Sequence, residues 1–161
     1  MQAIILAGGS GTRLRGVVSG VPKPLAPIKS RPFLEILLDY LVEQGFSDII
    51  FSVGYMAQSI VEHFGSKYRG IEIEYLVEDH PLGTGGAIKR ALEHISCNQV
   101  FVINGDTFLR VNYRDVSEEH RKAGAMMTMV LKSVGDTSRY GRVRTEGDRV
   151  VSFQDAEVGK A

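Results

Sequence analysis

Apolar residues fall along the chain in two alternating periods. Ala3-Ile4-Ile5-Leu6-Ala7 is an unbroken apolar run of strand length that stops at Gly8-Gly9. After Pro32, Phe33 to Gln44 carries helical spacing, and Gly45 reads as its stop. Asp48 to Val53 predicts a second buried strand, Ala57 to Phe64 a short helix ahead of Gly65, and Ile71 to Val77 a strictly alternating strand with one wet face. Gly83 to Ile95 opens as Gly-Thr-Gly-Gly and turns helical, and Gln99 to Ile103 is a strand that breaks at Asn104-Gly105-Asp106. Asp115 to Ala123 predicts a helix and Ala125 to Val134, rich in Met and β-branched residues, a strand. Gly141–Arg144 and Arg149–Phe153 predict a hairpin about Glu146-Gly147-Asp148. This βαβα order predicts an α/β fold: a three-layer, mostly parallel, doubly wound (Rossmann-like) sheet, with ligands at the carboxyl ends of its strands.

Three stretches fall at that edge. Gly8, Gly9, Ser10 and Gly11 let main-chain N–H groups approach a ligand, and successive N–H groups in a turn form an anion-binding concavity. Met1 to Leu34 holds five Lys or Arg and no Asp or Glu, which focuses positive potential on that loop; the competing reading is a solvated basic surface. The loop is neither a Walker loop, since no Gly-Lys-Ser/Thr follows any glycine, nor a dinucleotide fingerprint, since Leu14 stands where the third glycine belongs. Glu78 to Ala87 is a second glycine-rich stretch. A carboxylate at Glu78 is a pure acceptor, matched to a guanine edge with two adjacent donors, whereas uracil places one donor between acceptors; an exposed charge is the alternative. Asp106 is placed to serve Mg2+, which takes few protein ligands, or else to cap a turn.

At 161 residues and 43% hydrophobic content the chain suits one domain, residues 1–161, with a substantial core. A formal net charge of zero and a pI near 6.9 give no support to nucleic-acid or membrane-surface partners, so small-molecule substrates are expected. Cys97 alone cannot form an internal disulfide and fits a reducing compartment. The N-terminal apolar run is too short for a signal core and nothing approaches a bilayer span, so the expected location is cytoplasmic. His63, His80, His94 and His120 show no metal-ligand spacing.

Leu6-Ala7-Gly8-Gly9-Ser10-Gly11-Thr12-Arg13-Leu14 resembles, almost letter for letter, the N-terminal signature of the sugar-nucleotide pyrophosphorylases, the nucleotidyltransferases that join a nucleoside triphosphate to a sugar 1-phosphate. Pro22-Lys23-Pro24-Leu25 resembles that family's second element at the usual spacing. The resemblance spans nearly the whole chain and implies the nucleotide-sugar transferase type of doubly wound sheet. It implies roles as follows: Arg13, Lys23 and Asp106 catalytic; Leu6, Ala7, Gly8, Gly9, Gly11, Thr12, Arg13, Glu78, Gly83 and Thr84 on the nucleotide; Lys23, Asn104, Tyr140 and Gly141 on the sugar phosphate; Asp106 on Mg2+. The implied reaction is direct attack of the sugar 1-phosphate on the α-phosphorus, with pyrophosphate leaving in line and no protein nucleophile.

Where many members carry Pro-Leu-Thr soon after Arg13-Leu14, this chain reads Arg15-Gly16-Val17-Val18-Ser19-Gly20-Val21. With Leu82 to Ala87 and Arg139-Tyr140-Gly141, this variant is similar to the branch that takes GTP and D-glycero-α-D-manno-heptose 1-phosphate for bacterial surface glycans; the mannose 1-phosphate branch comes second, ahead of UTP- or dTTP-dependent members. A non-catalytic nucleotide-sugar-binding regulatory domain is the rival of a different class, and Arg13, Lys23 and Asp106 together speak against it. A homo-oligomer is compatible with the sequence. Members continue into an Asn-Gly segment and a second metal aspartate, whereas this chain ends at Ala161. The expectation is therefore a C-terminally truncated domain that binds nucleotide but turns over poorly.

Overall fold

The computed structural model describes residues 1–9, 20–135 and 141–154. The strands in chain order are β1 (Gln2–Ala7), β2 (Pro27–Ile28), β3 (Arg31–Pro32), β4 (Asp48–Val53), β5 (Lys67–Tyr68), β6 (Ile71–Val77), β7 (Phe101–Asn104), β8 (Arg142–Glu146) and β9 (Arg149–Gln154); the α-helices are α1 (Phe33–Glu43), α2 (Ala57–Phe64), α3 (Gly83–Leu92) and α4 (Tyr113–Ala123). The chain divides into two compact units, Met1–Ser117 and Glu118–Ala161.

In the Met1–Ser117 unit the five-stranded sheet runs β5-β6-β4-β1-β7, with β1 parallel to β4 and β7, and β6 parallel to β4. Only β5 is antiparallel, pairing with β6 across the Arg69-Gly70 turn. Because strand side chains alternate, the register sends two apolar sets to opposite faces. Ala3, Ile5, Ile49, Phe51, Val53, Ile71 and Ile73 pack on one face with Leu34, Leu37, Leu38 and Leu41 of α1 and Ala57, Ile60 and Phe64 of α2. Ile4, Ile50 and Leu76 pack on the other with Ala91 of α3. The result is the three-layer parallel arrangement that the sequence predicts. The leucine stripe of α1 explains why Phe33–Glu43 is helical here: it buries one face, and truncating the fully buried Leu38 to Ala should cost about 2–5 kcal/mol. Gly45, at φ +84°, ends it in a conformation that side chains rarely adopt.

β4, α2 and β6 have the boundaries that the pattern predicts. In β6 the wet face is confined to Glu72 and Glu74, and Leu76 on the same side is buried. In the Glu118–Ala161 unit the expected hairpin forms from β8 and β9, with a register shift between Arg144 and Thr145. The predicted strand over Ala125–Val134 does not form. Residues 125–134 belong to no strand, and Met126, Met127 and Leu131 are exposed. Composition supplies β propensity but not a hydrogen-bonding neighbour, and among the described residues no strand lies alongside this segment. None of the helices of the described residues is long and apolar enough to cross a membrane.

Candidate functional site

Three parallel strands of the Met1–Ser117 unit deliver their following loops to one edge. β1 ends in the half-buried Gly8 and exposed Gly9, β6 in Glu78, and β7 in Asn104-Gly105-Asp106. Gly105 donates its N–H to the Leu6 carbonyl at 2.8 Å, and a Cβ there would stand 3.1 Å from that oxygen, so the glycine fits β7's end against β1. Gly54, just after β4, has the same character: an added Cβ would lie 2.9 Å from the Gly8 carbonyl oxygen. Side-chain-free backbone thus lets neighbouring strand ends close up.

Glu78 follows β6 on this edge and is half-buried. Its N–H donates to the Val53 carbonyl at 2.7 Å, fixing the residue beside the end of β4. The Ser52 hydroxyl donates to Oε1 at 2.7 Å, and the Leu82 N–H, at the start of α3, donates to Oε2 at 3.2 Å. A Cβ on Gly8 would come within 2.9 Å of Oε1. Gly8 therefore makes room for a carboxylate, a requirement that the phosphate reading of the glycine loop did not include. Each carboxylate oxygen has two acceptor positions, and among the described residues these bonds fill one on each.

Pro22, Pro24 and Leu25 are buried around the 3-10 turn Lys23–Leu25, and Lys23 between them is turned outward. Its Nζ donates to Asp106 Oδ2, while Thr107 Oγ1 donates to Oδ1 at 3.2 Å. Lys23 and Asp106, eighty-three residues apart, are thus brought into one ion pair whose side chains are 39% and 38% exposed. Among the described residues no group of three or more His, Cys, Asp or Glu could hold a metal. Asp106 offers a single accessible carboxylate, a donor set that suits Mg2+, which binds through one or two carboxylates and fills its shell with water and phosphate oxygens.

Gly83, at φ +68°, and Thr84 are exposed in the first turn of α3, four and five residues beyond Asp79, and Leu6 and Ala7 lead β1 into the edge. Asn104 is exposed at the end of β7. Gly11, Thr12, Arg13 and Tyr140 lie outside the described residues. Gly141 packs at the base of the β8–β9 hairpin, where a Cβ would meet the Phe153 ring at 2.8 Å. The sequence reading missed Ser52 and Gly54. The signal for Ser52 was a lone hydroxyl in the run Asp48-Ile-Ile-Phe-Ser52-Val; Gly54 is legible only once Gly8 is in place.

The Nucleotidyl transferase family profile matches residues 2–155. A D-glycero-alpha-D-manno-heptose 1-phosphate guanylyltransferase of Aneurinibacillus thermoaerophilus is 46% identical over 155 residues, covering 96% of this chain and 67% of that protein. A mannose-1-phosphate guanylyltransferase of Mycobacterium tuberculosis is 37% identical over 155 residues, covering 95% of this chain and 43% of that protein. Among solved structures, HddC of Yersinia pseudotuberculosis complexed with GMP-PN matches at TM-score 0.78 and 35% identity, over 96% of this chain and 68% of that one.

Proposed function

Because the chain belongs to the nucleotidyl transferase family, we propose that it is a sugar-1-phosphate guanylyltransferase, joining GTP to D-glycero-α-D-manno-heptose 1-phosphate in the cytoplasm to give a GDP-sugar for bacterial surface glycans, and pyrophosphate. The observation that carries the guanine assignment is Glu78: a carboxylate at the strand ends whose two oxygens each accept one bond from the described residues. Guanine offers its ring N–H and its amino group side by side, and this pair meets two acceptors on one carboxylate edge. The heptose assignment rests on the 46% identity to the heptose relative against 37% to the mannose one.

In this reading a phosphate oxygen of the sugar 1-phosphate attacks the α-phosphorus, the bond to the β-phosphate bridging oxygen breaks, and pyrophosphate departs. No covalent enzyme intermediate is required, so the residues act by positioning and charge neutralisation. Gly8, Gly9, Gly11 and Thr12 cradle the triphosphate with Arg13; Gly83 and Thr84 flank the base; Asn104, Tyr140 and Gly141 serve the sugar phosphate. Lys23, once it parts from Asp106, is free to neutralise phosphate oxygens. A divalent cation, Mg2+, would be held by Asp106 and would neutralise phosphate charge.

Pyrophosphate release measured over a panel of nucleoside triphosphates and sugar 1-phosphates tests the proposal. Release fastest with GTP and the manno-heptose 1-phosphate is expected. Faster release with mannose 1-phosphate would move the sugar assignment, and equal release with UTP would remove the guanine assignment.

A further inference from the structure

Ser52 is the one polar residue among the buried side chains of the described residues, at 1% exposure. It stands in a strand whose other positions from Ile49 to Val53 are buried and apolar. Taking a hydroxyl out of water without a partner costs about 1–3 kcal/mol, so an apolar residue would be the cheaper occupant unless the hydroxyl is used. Among the described residues it is used once, as the 2.7 Å donor to Glu78 Oε1. The register explains the reach. Ser52 is paired with Leu76 across the parallel β4–β6 ladder, and Glu78, two residues beyond Leu76, lies on the same face of the sheet. Ser52 therefore approaches the carboxylate from below, from within the sheet, while Leu82 N–H holds the other oxygen from the helix side.

We propose that Ser52 is a positioning residue that sets base specificity through Glu78, by pinning the carboxylate so that both of its free acceptor positions face the two donors of guanine together. The inference rests on the guanine reading above and deepens it. A carboxylate turns freely about its last side-chain bond because that torsion is broad. With one pin at each oxygen that freedom is lost before the base arrives, and a two-point contact needs no further ordering. With Leu82 alone the carboxylate turns about a single pin, and the two-point contact becomes intermittent. Ser52 lies below the surface and touches no ligand in this account.

Calorimetric binding of GTP and ITP, in Mg2+, to the chain and to its Ser52→Ala, Glu78→Gln and doubly substituted forms tests this. ITP lacks the amino group, so the ratio of the two dissociation constants reports the two-point contact. The chain itself should prefer GTP about tenfold, the worth of one hydrogen bond to a charged acceptor. Ser52→Ala should reduce that ratio to about threefold or less, and in the Glu78→Gln background it should change the ratio no further, as expected for a residue acting only through Glu78. A merely structural serine would weaken both nucleotides equally and leave the ratio alone, and that outcome overturns the inference. So does an additive effect in the double substitution. A chain with no preference for GTP over ITP would instead overturn the guanine reading, and this inference with it. The substitution to Ala adds no bulk to the strand, and melting curves run alongside show that each form is folded.

Discussion

Asp39 and Asp106 each face a basic side chain in the Met1–Ser117 unit, yet their surroundings differ. Asp39 is 19% exposed and has three partners: Arg31 Nη2 and Tyr68 Oη donate to it at 2.5 and 2.9 Å, and Arg69 Nη1 stands 3.2 Å away. Arg31 also donates to Glu35 at 3.3 Å, and Glu35 in turn meets His63 at 2.8 Å, so the network ties the start of α1 to α2 and to the β5 turn. Burial pulls the Asp39 carboxyl upward, but the bonds from Arg31 and Tyr68 outweigh it and hold it below its ordinary value. Among the described residues Asp106 has one cation and one hydroxyl, at twice the exposure, on the edge where three strand ends meet. A largely buried carboxylate that joins two arginines and a tyrosine ties elements of the fold together. Asp106, paired with a lysine at a strand-end edge, is the carboxylate that the proposed function has give its lysine up to phosphate and accept a cation.

Four substitutions would break or sharpen this contrast. The largest effect is expected from Asp106→Asn, which should leave the melting temperature within a few degrees and lower turnover about a hundredfold or more, because the near-isosteric amide cannot serve as an anionic ligand. Turnover unchanged across Mg2+ concentrations would put Asp106 in the same class as Asp39. Lys23→Ala should lower kcat about ten- to a hundredfold, measured by pyrophosphate release, through loss of one charge contact to phosphate. Glu78→Gln should leave kcat with GTP within a few-fold and shift nucleotide preference toward UTP, read from kcat/KM for the two.

The smallest effect is expected on the other side of the comparison. Asp39→Asn should cost about 1 kcal/mol in urea unfolding, after allowance for the exposure of its arginine partners, and should leave turnover within twofold. Its pH dependence has a definite sign. A depressed carboxyl gives stability that is fully present above its unfolded value near 4 and is lost as pH falls through its folded value. The stability gap between the chain and Asp39→Asn should therefore narrow below about pH 4 and stay constant from about pH 5 to 8. A gap that widened on acidification would contradict the assignment.

Much of this was legible in the letters where one local cause decides the outcome. The apolar run of β1, the leucine stripe of α1 and the alternation of β6 each carry their own period, and all three elements form where the periods place them. The short β2, β3 and β5 strands were missed because two residues carry no period, and their pairing is set by turns. Residues 125–134 mark the converse case, strand propensity without a neighbour to bond. In the site, Glu78 was legible as a carboxylate beside a glycine-rich stretch, and the bonds it accepts from Ser52 and Leu82 were not. The role of Ser52, the demand on Gly8 from the Glu78 carboxylate, and the union of Lys23 with Asp106 depend on residues brought together over long sequence separations, which no local pattern contains.

The most direct test of the central claim is a competition in one vessel, with equal GTP and UTP, the manno-heptose 1-phosphate and Mg2+, in which the ratio of GDP-sugar to UDP-sugar is read by mass spectrometry for the chain and for Glu78→Gln. A product ratio is independent of absolute turnover, so it remains informative for a slow enzyme. GDP-sugar is expected to predominate about tenfold or more with the unaltered chain, and the ratio to fall several-fold with Glu78→Gln. Equal amounts of the two products from the unaltered chain would contradict it.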